Sequence, residues 1–213
     1  MAQIAELGRR IELVSMDPHC HDITIGLYRD VADQAVEFTA FSYSRREGAV
    51  ERVGFVNQAM KVLGGLEASP DAPDRLRFPC GQDHRRAVQR LFMDACKIAS
   101  STPLEPRAMN IFDKKSQLTM IATSEGGGRY RVTSDGTGPE AERRIDAVTR
   151  GLVRLAELES LETGAASFPC GYTHDRLVGL LLKRALNVRV AMREAEAAAA
   201  RGIMAAPSQQ QAP

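Results

Sequence analysis

Two segments of the chain carry the same chemistry-bearing residues in the same arrangement. They are Phe78-Pro79-Cys80-Gly81-Gln82-Asp83-His84-Arg85-Arg86 and Phe168-Pro169-Cys170-Gly171-Tyr172-Thr173-His174-Asp175-Arg176. Phe, Pro, Cys, Gly, His and the closing Arg match position for position, at a constant offset of 90. A thiol and an imidazole four residues apart have three uses. They can simply pack, since a free cysteine behaves as a small hydrophobe and a histidine can bond a backbone carbonyl or an acid. They can each supply half of a metal site. Or the helix end and an imidazolium can lower the thiol pKa and make a nucleophile.

The spacing predicts that Cys80 and His84 share one face of a helix, about 40° apart. That face continues through Val88, Leu91 and Ala95, and its counterpart through Cys170, His174, Val178, Leu181 and Ala185. Both pairs are therefore expected at the core edge of their helices, and for the side chains taken singly packing ranks first. If the two motif helices meet at a pseudo-twofold axis, Cys80, His84, Cys170 and His174 become a Cys2His2 set. Such a set suits tetrahedral Zn²⁺, with two thiolates neutralising the ion, although Cys-x3-His is not the common Cys-x2-Cys knuckle. The nucleophile reading lacks an orienting or oxyanion partner beside either pair, and apolar surroundings would raise the thiol pKa. A further cluster, His19-Cys20-His21 after Asp17-Pro18, reads as a polar turn ahead of an additional ligand set. Cys96 lies off the site face and reads as packing.

The elements that must position these pairs also recur. Arg52-Val53, Val56, Met60, Leu63 and Leu66 correspond to Arg144-Ile145, Val148, Leu152, Leu155 and Leu158, and Asp22-Ile23-Thr24-Ile25 resembles Gln117-Leu118-Thr119-Met120. The offset changes between blocks, as insertions in loops would make it. Alternation at Ile23, Ile25, Leu27 and at Val36, Phe38, Ala40 predicts half-buried antiparallel strands. Leu118, Met120 and Ala122 do the same opposite Tyr130 and Val132, with Gly126-Gly127-Gly128 as the connecting turn. Three glycines without a following Lys-Ser/Thr do not make a phosphate loop. A helix follows in each half, about 48–66 and 139–158, then a short strand ending in Phe-Pro, then the motif helix.

Composition bounds the function. The 213 residues are 44% hydrophobic and 26% charged, with a net charge of +1 from interleaved acids and bases. That balance, with 5% aromatics and no Trp, argues against a nucleic-acid partner. No apolar run approaches the roughly 20 residues of a membrane span, so no membrane is expected. The first ten residues lack an apolar signal core, which places the protein in the cytoplasm with reduced thiols.

The sequence thus predicts an α+β molecule, a tandem duplication of a β-β-β-α-β-α repeat forming one pseudo-twofold-symmetric body. The first repeat spans 11–100, a proline-bearing linker 101–107 and the second repeat 108–195, with a helix extension and disordered tail over 196–213. The functional expectation is a cytoplasmic, non-enzymatic regulatory or assembly protein with a protein partner of unknown identity and a structural Zn²⁺ site between its repeats. The alternative is a thiol-dependent enzyme or redox sensor using Cys80 or Cys170.

Overall fold

A computed structural model describes residues 11–16, 23–32 and 35–187, with side chains from 23 onward except at 32. His19-Cys20-His21, the extension of the last helix and the tail lie outside the described residues.

The order is β1 (Ile11–Met16), β2 (Thr24–Ala32), β3 (Ala35–Ser42), α1 (Ala49–Gly64), β4 (Glu67–Ala68), β5 (Leu76–Arg77) and α2 (Arg85–Ala95). Then follow β6 (Asn110–Asp113), β7 (Leu118–Gly126), β8 (Arg129–Ser134), α3 (Pro139–Ala156), β9 (Glu159–Glu162), β10 (Ala165–Ser167) and α4 (Asp175–Ala185). The protein is therefore mixed α+β. Two five-stranded sheets run β1-β2-β3-β5-β4 and β6-β7-β8-β10-β9, with antiparallel pairing throughout. Strands and helices follow one another in the same sequence in both halves.

Each half has one strand more than the β-β-β-α-β-α reading allowed. The extra strands are β4 and β9, and the sequence hides them for a physical reason. Strand β4 is only two residues long, and all four residues of β9 are solvent-exposed. Neither has the apolar alternation by which a half-buried strand is recognised.

The hairpins and helices form where the patterning places them. Ile25 and Leu27 face inward with Val36, Phe38 and Ala40, all nearly inaccessible to solvent. In the second sheet Met120, Ala122, Tyr130 and Val132 do the same, and Gly126, Gly127 and Gly128 turn the chain with positive φ. Helix α1 buries Val56, Met60 and Leu63, and Gly65 in the left-handed conformation ends it. Helix α3 starts at Pro139, carries Glu140 and Glu142 in its first turn, where the helix dipole favours acids, and buries Val148, Leu152 and Leu155.

The helices join the halves. Helix α1 packs on α2 and also on α4, and α3 packs on α4 and also on α2, so one continuous core runs from Ile23 to Ala185. Two arginines secure the far ends of the motif helices. Buried Arg52 donates to the Cys96 and Ile98 carbonyls, at 2.9 and 2.8 Å, beyond the end of α2. Arg144 donates to the Leu186 carbonyl after α4 at 3.1 Å and pairs with Asp113. These bonds satisfy terminal carbonyls that a helix end leaves without partners.

Candidate metal centre

Cys80 and Cys170 are not on helices. Each sits in a turn between a short strand and the following helix, and His84 and His174 are the residues at which α2 and α4 begin. This corrects the shared-helical-face reading, and the motif itself contains the reason. Gly81 and Gly171 both have φ 71°, a left-handed conformation that a continuing right-handed helix excludes. The turn closes through backbone bonds from Gly81 N–H to the Phe78 carbonyl (2.9 Å) and from Gly171 N–H to the Phe168 carbonyl (3.0 Å). The helix then starts with Val88 N–H on the His84 carbonyl and Val178 N–H on the His174 carbonyl. The turn, rather than helical periodicity, folds each thiol back onto its imidazole.

Within each pair the contact is close. Cys80 Sγ lies 3.2 Å from His84 Nε2, and Cys170 Sγ lies 3.3 Å from His174 Nε2. Across the molecule the two pairs converge. One ligand atom from each of Cys80, His84, Cys170 and His174 falls within 4.8 Å of all the others. Around a single Zn²⁺ with ordinary bond lengths, neighbouring ligand atoms of a tetrahedron are about 3.3–3.8 Å apart. Both Cys–His edges are already within a few tenths of an ångström of that range. The four residues could therefore hold a metal ion such as zinc.

The surroundings suit that use. Phe78 and Phe168 are buried, and each ring meets both imidazoles edge-on, with centroids 4.7–5.5 Å apart. The imidazoles themselves lie edge-on at 4.5 Å. Both histidines are buried, whereas both cysteines are half-buried. Backbone N–H groups of Gln82 and Tyr172 point at the two sulfurs, at 3.4 and 3.5 Å.

Burial pushes His174 down to about 4, and the neighbouring His84 pushes in the same direction. Burial also lowers His84, against the opposing charge of Asp83. Both rings are thus neutral near pH 7, the form in which imidazole ligates a metal. Burial raises the Cys80 thiol to about 11; the Gln82 N–H opposes this and the nearby Cys170 adds to it. Two thiolates this close are unfavourable without a cation between them.

The halves differ in what braces the turn. In the second, the Tyr130 hydroxyl accepts the His174 backbone N–H at 2.6 Å and donates to Asp175 Oδ1 at 3.0 Å. In the first, Phe38 packs edge-on against Phe78 much as Tyr130 packs against Phe168. There the bracing is ionic instead, with Arg29 bonded to Asp83 at 2.6–2.8 Å. Sequence reasoning placed Tyr130 in the core without its polar role. The signal available was a phenol among otherwise apolar inward positions, since a buried hydroxyl requires a partner.

The third described cysteine, Cys96, is fully buried at the end of α2 and takes no part in the cluster. Comparison with known proteins finds no matching family model, no matching curated protein and no matching solved structure.

Proposed function

We propose that this chain is a tandem duplication, with repeats over 11–100 and 108–195 joined by 101–107, whose halves are clasped by one structural Zn²⁺. The ligands are Cys80, His84, Cys170 and His174. The observation that carries the reading is the convergence of these four ligand atoms within 4.8 Å, from residues 90 positions apart. Four protein ligands complete a tetrahedron and leave no open position for substrate, which is the pattern of a structural rather than a catalytic zinc site.

Four further juxtapositions support a twofold relation. Residues 90 apart touch one another at His84–His174 and at Asp94–Arg184, as matching positions do only beside a symmetry axis. Arg86 bonds Glu157 beyond the end of α3, and reciprocally a β-carbon at Gly65, beyond the end of α1, would lie 3.4 Å from Cδ of Arg176.

The role that follows is non-enzymatic: a regulatory or assembly protein whose partner is another protein. The ion would stiffen the junction of the halves rather than perform chemistry. The raised Cys80 thiol weighs against an activated catalytic thiolate there. The test is metal analysis of freshly purified protein. About one zinc per chain, with thiols that resist alkylation until a chelator is added, is expected. Metal-free protein that fails to take up added Zn²⁺ would sink the reading.

A further inference from the structure

The four ligands are unequal in exposure. The imidazoles are buried and meet Phe78 and Phe168 edge-on, while Cys80 and Cys170 are only partly buried. Each sulfur is carried by a turn, outside any helix or strand. Gln82 and Tyr172, two residues beyond the cysteines, are both exposed. The two sulfurs are no more than 4.8 Å apart, and Cys96 is fully buried. Among the described cysteines, the neighbouring pair is thus the more open to solvent-borne reagents, and Cys96 is closed to them.

We propose that Cys80 and Cys170 are an oxidation site, at which hydrogen peroxide converts the metal-bound pair into a disulfide and releases the ion. The metal half of this rests on the zinc reading above; the cross-link does not. A disulfide sets its sulfurs about 2.05 Å apart, so the turns must close by no more than about 2.8 Å. One thiolate sulfur attacks a peroxide oxygen, the O–O bond breaks, and a sulfenic acid and hydroxide form. The second thiolate attacks that sulfur, the S–S bond forms and a second hydroxide leaves. Two sulfurs lose two electrons in total, the peroxide gains them, and two protons convert the hydroxides to water. Stripped of its thiolates, the ion keeps only two neutral imidazoles and dissociates. A dithiol reductant reverses the process, because it restores both thiolates.

The chemical consequence is an exchange of one clasp for another. Zinc and disulfide both tie residue 80 to residue 170, so oxidation frees metal without parting the halves.

The experiment uses the full chain loaded with Zn²⁺ and treated with hydrogen peroxide. Zinc release is followed with a chromophoric chelator, and cysteine connectivity by non-reducing peptide mapping. About one zinc should appear per Cys80–Cys170 cross-link, the chain mass should fall by two hydrogens, and dithiothreitol with zinc should restore the starting state. Cys96→Ala should behave as the parent. Zinc lost with a sulfinate on one cysteine and no cross-link would overturn the proposal, as would a cross-link to Cys20 or zinc retained throughout. If the chain takes up no zinc, the metal reading fails by itself and peroxide treatment of the metal-free chain still decides the cross-link. A Cys80–Cys170 disulfide then upholds the oxidation site, and thiols that stay alkylatable overturn it.

Discussion

The motif turns of the two halves can be laid side by side almost bond for bond, yet they are held in place by different means. In both, a left-handed glycine follows the cysteine, the Cys–His contact is 3.2–3.3 Å, and a backbone N–H two residues on points at the sulfur. Outside that common set the correspondence ends. The second half uses a buried phenol between His174 and Asp175, where the first has Phe38 and Arg85 and relies on the Arg29–Asp83 ion pair nearer the surface. Every feature shared by the turns directs a ligand atom at the cluster, and the features that differ only brace the backbone behind it. Bracing admits several chemical solutions, whereas presenting a sulfur and a nitrogen to one point admits few. On the duplication proposed above, the halves drifted where drift left the convergence intact.

The comparison is most severely tested by removing one ligand from each side. Cys80→Ser and Cys170→Ser should each abolish zinc uptake and lower stability on the order of several kcal/mol, because a structural ion's binding energy contributes to folding. The two variants should agree, and both halves should unfold in one transition by calorimetry. A variant that loses only one half would show the halves to be independent. Next in size are Leu91→Ala and Leu181→Ala, at matching positions of α2 and α4 and both fully buried. Each should cost about 2–5 kcal/mol in chemical denaturation, with the spread set by how far each site collapses.

The bracing groups should then separate the halves. Tyr130→Phe leaves the buried His174 N–H without its acceptor and should cost about 1–3 kcal/mol, measured in the metal-free protein to isolate the brace. Asp83→Asn breaks an ion pair whose members are about a quarter exposed, and should cost about 0–1 kcal/mol. Equal losses at Tyr130 and Asp83 would mean that the phenol is no stronger a brace than the surface pair.

Much of this arrangement was legible in the sequence, for identifiable reasons. The recurrence of Phe-Pro-Cys-Gly-x-x-His marks the site, because metal-ligating types at one spacing twice over are conspicuous whatever the fold. The glycine run between β7 and β8 and the apolar stripe of α1 were readable because turn chemistry and burial period leave local traces. The helix start was misplaced because periodicity was extended back through Gly81 and Gly171, residues that signal a left-handed turn. Strands β4 and β9 left no trace, being short or wholly exposed. The Tyr130–Asp175 contact spans 45 residues and depends on strand-to-helix packing that no local pattern encodes.

A contact away from the cluster bears on which halves can pair. Arg184 Nε bonds Asp94 Oδ2 at 3.2 Å, and the second guanidinium nitrogen engages the other carboxylate oxygen. The partners are 90 residues apart, so on the duplication proposed above each occupies the other's place in the opposite half. Were two molecules to exchange halves and pair first with first, Asp94 would meet a second Asp94; second with second, Arg184 would meet another Arg184. Each mistaken pairing sets like charges together, and only the mixed pairing sets acid against base. Opposite charges at this crossing thus favour joining a first half to a second half over joining like to like.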